Sequence, residues 1–120
     1  MKISSYRGLL VWQAAMNLAE EIYEASKAFP RSETYGLSAQ LQRSAVSVAS
    51  NIAEGHGRRT KGDFSRFLAI ALGSTAELET QVILAQRLRY LDSIRATRIL
   101  GQADQIGRML LSLRRKMQLP

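Results

Sequence analysis

Between Ser50 and Phe64 the chain reads SNIAEGHGRRTKGDF, which gathers an amide, two carboxylates, the only histidine and three cations around three glycines. Three chemistries are to be tested on it. A di-metal site in a helical bundle needs Glu-x-x-His on more than one helix. With one histidine, and Glu54 and His56 two apart, that spacing is absent. Glu77 and Glu79 are also two apart and do not share a helical face. Nucleophilic catalysis through His56 would need a serine held on a strand-turn-helix elbow, and no serine here has those surroundings. The run GHGRRTKG lacks the G-x-x-x-x-G-K-[ST] order of a P-loop and no strand precedes it. What survives is simpler. Arg58, Arg59 and Lys61 stand just before the first free amides of a helix, where dipole, N–H groups and guanidinium groups together attract phosphate. No catalytic residue, metal or cofactor is implied.

The net charge of +7 is unevenly distributed along the chain. Residues 1–57 hold five cations and five carboxylates, whereas residues 58–120 hold twelve cations, ten of them arginine, against five carboxylates. Arginine forks match phosphate oxygens, so a basic half of this kind points to a polyanionic partner. The candidate contacts fall in three groups: Arg58, Arg59 and Lys61; Arg87, Arg89, Arg95 and Arg98 around LRYLDSIRATR; and Arg114, Arg115 and Lys116. Tyr90, between the arginines of the second group, is read as a turn residue packed on the bundle end rather than a base-stacking platform.

Four helices must position these residues, over about 11–28, 37–54, 61–89 and 92–117. Val11, Ala14, Leu18, Ile22 and Ala25 recur at helical spacing in the first, and Pro30 follows it. Leu41, Ala45, Val48 and Ile52 form the apolar stripe of the second, with Gly55 and Gly57 expected to stop it. Thr60 and Asp63 have capping-box spacing before the third, whose apolar positions run from Phe64 to Ala85. Asp92 caps the fourth, and Arg114, Arg115 and Lys116 suit the negative end of its dipole. One domain of all-α class results, an antiparallel up-down-up-down four-helix bundle spanning 1–120. Along the second helix Arg43, Ser47, Ser50 and Glu54 make a polar stripe, with Ser44 and Asn51 beside it. The stripe either faces solvent or forms a polar seam of Arg43, Ser47, Asn51 and Glu54 against another helix, for which Glu77 and Ser74 on the third helix and the arginines are the candidate partners.

The run Phe67-Leu68-Ala69-Ile70-Ala71-Leu72 is apolar on every helical face, which points to self-association. There are no cysteines, no signal-peptide pattern and no run approaching 18 apolar residues, so a soluble cytoplasmic protein without membrane contact is expected.

The segments VWQAAMNLAEEIY and YGLSAQLQRSAVSVASNIAEGHGRRTKGDFSRFLAIALGSTAELETQ resemble the four-helix bundle proteins of intervening sequences in bacterial 23S ribosomal RNA genes, also labelled S23 ribosomal proteins. N-I-A-E-G-x-G-R and F-x-x-F-L-x-I-A-x-G-S-x-x-E-L-E-T carry the resemblance, which spans about Leu9 to Tyr90. Ala49 departs from a proline common in the family and His56 from an aromatic. The resemblance implies kinship with accessory variability proteins of diversity-generating retroelements. It further implies a homopentameric ring, a basic surface for nucleic acid (RNA before DNA), a possible reverse-transcriptase partner and no catalytic residues. The function expected is a non-enzymatic nucleic-acid-binding ring; the alternative is a protein-interaction scaffold or accessory subunit.

Overall fold

In the computed structural model, residues 5–120 are described. Four helices carry the fold: α1 (Leu10–Ser26), α2 (Leu37–His56), α3 (Lys61–Arg87) and α4 (Ser93–Met117). Each packs against its neighbours in sequence, and α4 closes against α1. The cross-helix contacts pair rising numbers on one helix with falling numbers on the next. Ser44 meets Gln81 and Ser47 meets Ser74. The bundle is therefore antiparallel, all-α, and 48 Å along its longest axis.

The core follows the helical stripes. Leu18, Ile22, Leu41, Val48, Ile52, Leu68, Leu78, Val82, Ile99, Ile106 and Leu110 are all less than 2% exposed or at that limit. Burying a side chain of this size stabilises by about 1.5–3 kcal/mol. On α1 the stripe is wider than the spacing suggests, because Ala15 and Ala19 are buried while Ala14 is half-buried. On α4 the buried stripe begins at Ala96 and Ile99.

The helix ends explain the corners. Thr60 Oγ1 accepts from the Asp63 amide at 3.1 Å and Asp92 Oδ1 from the Arg95 amide at 2.8 Å, so both N-caps form. Between α1 and α2, Glu33 serves twice: Oε1 accepts from the Leu37 amide and Oε2 from the Tyr90 hydroxyl, each at 3.0 Å. Tyr90 also packs on Phe29, with ring centroids 5.5 Å apart. Its ring therefore ties the α1–α2 corner to the α3–α4 corner. After α3 the Tyr90 amide bonds back to the Ala85 carbonyl and the Arg89 amide to Gln86, which leaves Arg89 left-handed at φ 65°. This is the position where glycine usually ends a helix.

Gly55 has a different role from the one its spacing suggests. It does not stop α2; it is buried inside the last turn, which continues to His56. A Cβ placed on it would sit 2.5 Å from Phe67 Cβ and 3.0 Å from Phe64 Cδ1. The residue lets α2 and α3 approach closely at their shared corner. Gly57 alone holds the C-cap.

By length and composition α3 is apolar enough to cross a membrane, with a mean hydropathy of 1.3 over its most apolar window. In the fold it packs between α2 and α4. The run from Phe67 to Leu72 is mostly absorbed there: Phe67, Leu68 and Ala71 are buried and Ala69 and Leu72 half-buried. Ile70, Ile83 and Leu84 stay more than two-fifths exposed on α3.

Candidate nucleic-acid interface

Antiparallel packing sorts the charges by bundle end rather than by sequence half. One end is built from the start of α1, the end of α2, the start of α3 and the end of α4. If each helix is divided at its midpoint, this half holds residues 5–18, 47–74 and 105–120. It carries nine cations: Arg7; Arg58, Arg59, Lys61 and Arg66 at the α2–α3 corner; and Arg108, Arg114, Arg115 and Lys116 on α4. Two carboxylates, Glu54 and Asp63, share it, and Asp104, one residue beyond the dividing line, pairs with Arg108 at 3.1 Å. The other half holds seven cations against eight carboxylates. The excess positive side-chain charge of the described residues thus lies at one end.

Two of the three candidate groups converge there. Arg114, half-buried on α4, donates from Nε to Ser65 Oγ in the first turns of α3 at 3.2 Å. That bond sets the last turn of α4 beside the corner bearing Arg58, Arg59 and Lys61. Arg59, Lys61, Arg115 and Lys116 are exposed and make no ion pair among the described residues. Arg58 is held by Glu54 Oε1 at 3.0 Å. It also lies over the Phe67 ring at 4.9 Å, with Arg66 at 4.7 Å from the same ring. Arg66 and Arg108 belong to this end but to none of the candidate groups. Only the antiparallel topology brings them into it.

The remaining group lies apart. Arg87, Arg89, Arg95 and Arg98 sit at the opposite end of the bundle. Arg95 Nε and Arg98 Nη2 both donate to Glu21 Oε1, at 3.2 and 2.8 Å, and so pin α4 to α1. Partial burial pushes the Glu21 carboxyl upward, but its bonds to Arg98 and Arg95 and their charges outweigh this, and the net shift is downward. These two guanidinium groups already have a structural carboxylate. Tyr90 offers no free hydroxyl either, since Glu33 holds it. That hydrogen bond, with lesser help from burial and the carboxylate's charge, raises its pKa above the ordinary tyrosine value.

The polar stripe on α2 divides in the same way. Ser47 Oγ lies 2.8 Å from Ser74 Oγ across the α2–α3 interface. Buried Ser44, beside the predicted stripe, is 2.8 Å from Gln81 Oε1 and 3.2 Å from Glu77 Oε1. Gln81 was not among the expected seam residues; its signal is the four-residue step from Glu77 on one helix face. Asn51 turns back to its own helix, donating to the Ser47 carbonyl at 2.8 Å and to Ser47 Oγ at 3.0 Å. Glu54 is no part of the seam. It is exposed near the end of α2 and reaches Arg58 across the C-cap. Arg43 is exposed at the mouth of a 510 Å³ polar cleft that Glu77 and Gln81 also line. No cluster of metal-ligating side chains occurs among the described residues.

Fold and site together define a class: a small antiparallel four-helix bundle that carries its excess charge at one end. The chain belongs to the family described as 23S rRNA-intervening sequence protein, which it matches over residues 7–112. Among solved structures it is similar to a protein of unknown function from the S23 ribosomal protein family of Bacteroides thetaiotaomicron VPI-5482. The two are 24% identical with a TM-score of 0.79, over 92% of this chain and all of the other, and this likeness speaks for the fold. No curated protein matches the chain.

Proposed function

We propose that this protein is a non-enzymatic, self-associating nucleic-acid-binding protein whose basic end grips phosphates, with RNA the preferred form. One observation carries the reading: nine cations against two carboxylates at a single end, most of them exposed. Phosphate contacts of this kind supply affinity and position without sequence readout. The preference for RNA draws on the family, which is described by the 23S rRNA gene. Self-association, as the pentameric ring that the family resemblance implies, is supported by the exposed apolar side chains Ile70, Ile83 and Leu84 of α3. A cyclic assembly would also multiply the basic ends available to one nucleic acid.

The test is fluorescence anisotropy with labelled structured RNA at low and moderate salt. Binding should fall steeply with salt and weaken when Arg58, Arg59 and Lys61 become alanine. Absence of binding at low salt would overturn the reading. The result would then favour the second one, a protein-interaction scaffold, for example an accessory subunit of a reverse transcriptase. A 540 Å³ apolar groove between α1 and α4, formed by Leu9, Leu10, Val11, Met109 and Leu113, supports that alternative.

A further inference from the structure

We propose that the basic end recognises the double-helical form of nucleic acid and discriminates against unstructured single strands. The inference rests on the phosphate-binding reading above and narrows its substrate class.

The basic end lacks an exposed stacking platform. Proteins that hold single strands combine cations with aromatic faces on which bases stack, each stack contributing about 1–3 kcal/mol. The aromatic side chains at this end are committed elsewhere. Tyr6 meets the edge of Trp12 at 5.2 Å and carries the Arg7 guanidinium 5.8 Å from its ring centre. His56 stands edge-on to Phe64 at 5.7 Å. Phe67 is buried beneath two arginines. The aromatic side chains that are clearly exposed, Tyr23 at 47% and Tyr35 at 95%, belong to the opposite half. A base unstacked at the basic end would meet only half-buried rings, Tyr6, Trp12, His56 and Phe64, each already in an edge contact with another ring, and no fully exposed one.

Most of the cations stand on the α2–α3 corner, the first turns of α3 and the last turn of α4, where Arg114 bonds Ser65 and Arg58 pairs with Glu54. The bundle's short axes are 23 and 21 Å. A duplex presents one charge per roughly 1.7 Å of axis on a rigid frame, so many phosphates face a surface of that width at once. A flexible strand must be ordered to present as many, and that ordering opposes binding. With no stacking to offset it, the strand is disfavoured.

The experiment uses the full chain with a roughly 20-nucleotide RNA of a sequence unable to fold, and with the duplex it makes with its complement. Anisotropy is read across a salt series. The expected result is duplex binding tighter by about tenfold or more, with the steeper salt dependence that duplex charge density gives. Equal or tighter binding of the single strand would overturn the duplex assignment and leave the phosphate reading standing. Failure of both RNAs to bind at low salt would overturn both.

Discussion

Gly55→Ala tests the packing of the corner that carries the cations. The substitution has two opposed effects. Gly55 is helical with a negative φ, so alanine should favour the local helix by about 0.5–1 kcal/mol. Against this stands the new methyl, 2.5 Å from Phe67 Cβ. A Cβ cannot rotate away from its own backbone, and Phe67 is itself buried, so relief requires α2 and α3 to separate. Overpacking of this kind costs about 1–3 kcal/mol. The clash should win, leaving a net destabilisation of about 1–2 kcal/mol, or about 4 °C in Tm per kcal/mol. Gly101→Ala on α4 is the matched control. It is helical and exposed with nothing within 4 Å of the added methyl, so it should gain stability by about 0.5–1 kcal/mol. Urea and thermal unfolding followed by circular dichroism, at one fixed protein concentration, give both values. A Gly55→Ala protein as stable as the parent would refute the close-approach argument and return Gly55 to the role of a simple helix terminator.

Other substitutions probe other elements. Glu21→Gln should lower stability by about 1 kcal/mol at neutral pH in urea unfolding. Because the folded pKa of Glu21 lies below its unfolded value, its contribution is present above the unfolded value and should fade as pH falls through the folded one. A parent and variant that lose stability in parallel on acidification would sink that assignment. Tyr90 has the opposite sign: its raised pKa means that its contribution is complete below the unfolded value and lost as pH rises through the folded value. Tyr90→Phe should therefore remove a late step from the phenolate absorbance titration. Arg89→Gly should stabilise by about 1 kcal/mol by relieving the left-handed backbone at φ 65°, read from the urea midpoint. Arg59→Ala with Lys61→Ala should weaken RNA binding and flatten its salt slope by about two. The same loss of charge through Lys27→Ala with Arg31→Ala, at the other end, should leave the slope unchanged.

The four helices were legible because core-facing side chains recur at helical spacing and the caps have the right chemistry. Leu41, Ala45, Val48 and Ile52 are all buried, and Thr60 and Asp92 both cap. Gly55 misled for a physical reason. A glycine near a helix end suits a C-cap and a close helix approach equally, and only the position of Phe67 distinguishes them. Glu54 misled similarly, since Asn51 and Ser50, three and four residues back, and Ser47, seven back, place it on the polar stripe. Sequence spacing does not reveal that α2 ends two residues later and leaves that carboxylate facing Arg58. The Glu21 pairs with Arg95 and Arg98 cross from α1 to α4 and have no local signature at all.

The charge pattern shows how topology reinterprets composition. Along the chain, the excess of cations begins at Arg58 and continues to Lys116. In an up-down-up-down bundle, residues 58–120 cannot occupy one end, because α3 and α4 each run the whole length. The cations split: the start of α3 and the end of α4 go one way, the α3–α4 corner the other. What keeps the split from cancelling the asymmetry is the placement of carboxylates. Glu20, Glu21, Glu24 and Glu33 lie in the second half of α1 and the corner after it, which antiparallel packing sets beside Arg87, Arg89, Arg95 and Arg98. The acidic stretch of the first half thus neutralises the far end, and Glu21 does so through two direct pairs. The near end receives a smaller complement, Glu54 on Arg58 and Asp104 on Arg108, which leaves most of its cations unpaired. A sequence whose early half is electrically neutral therefore folds into a bundle with one neutral end and one cationic end, and the neutral half of the sequence helps to produce that polarity.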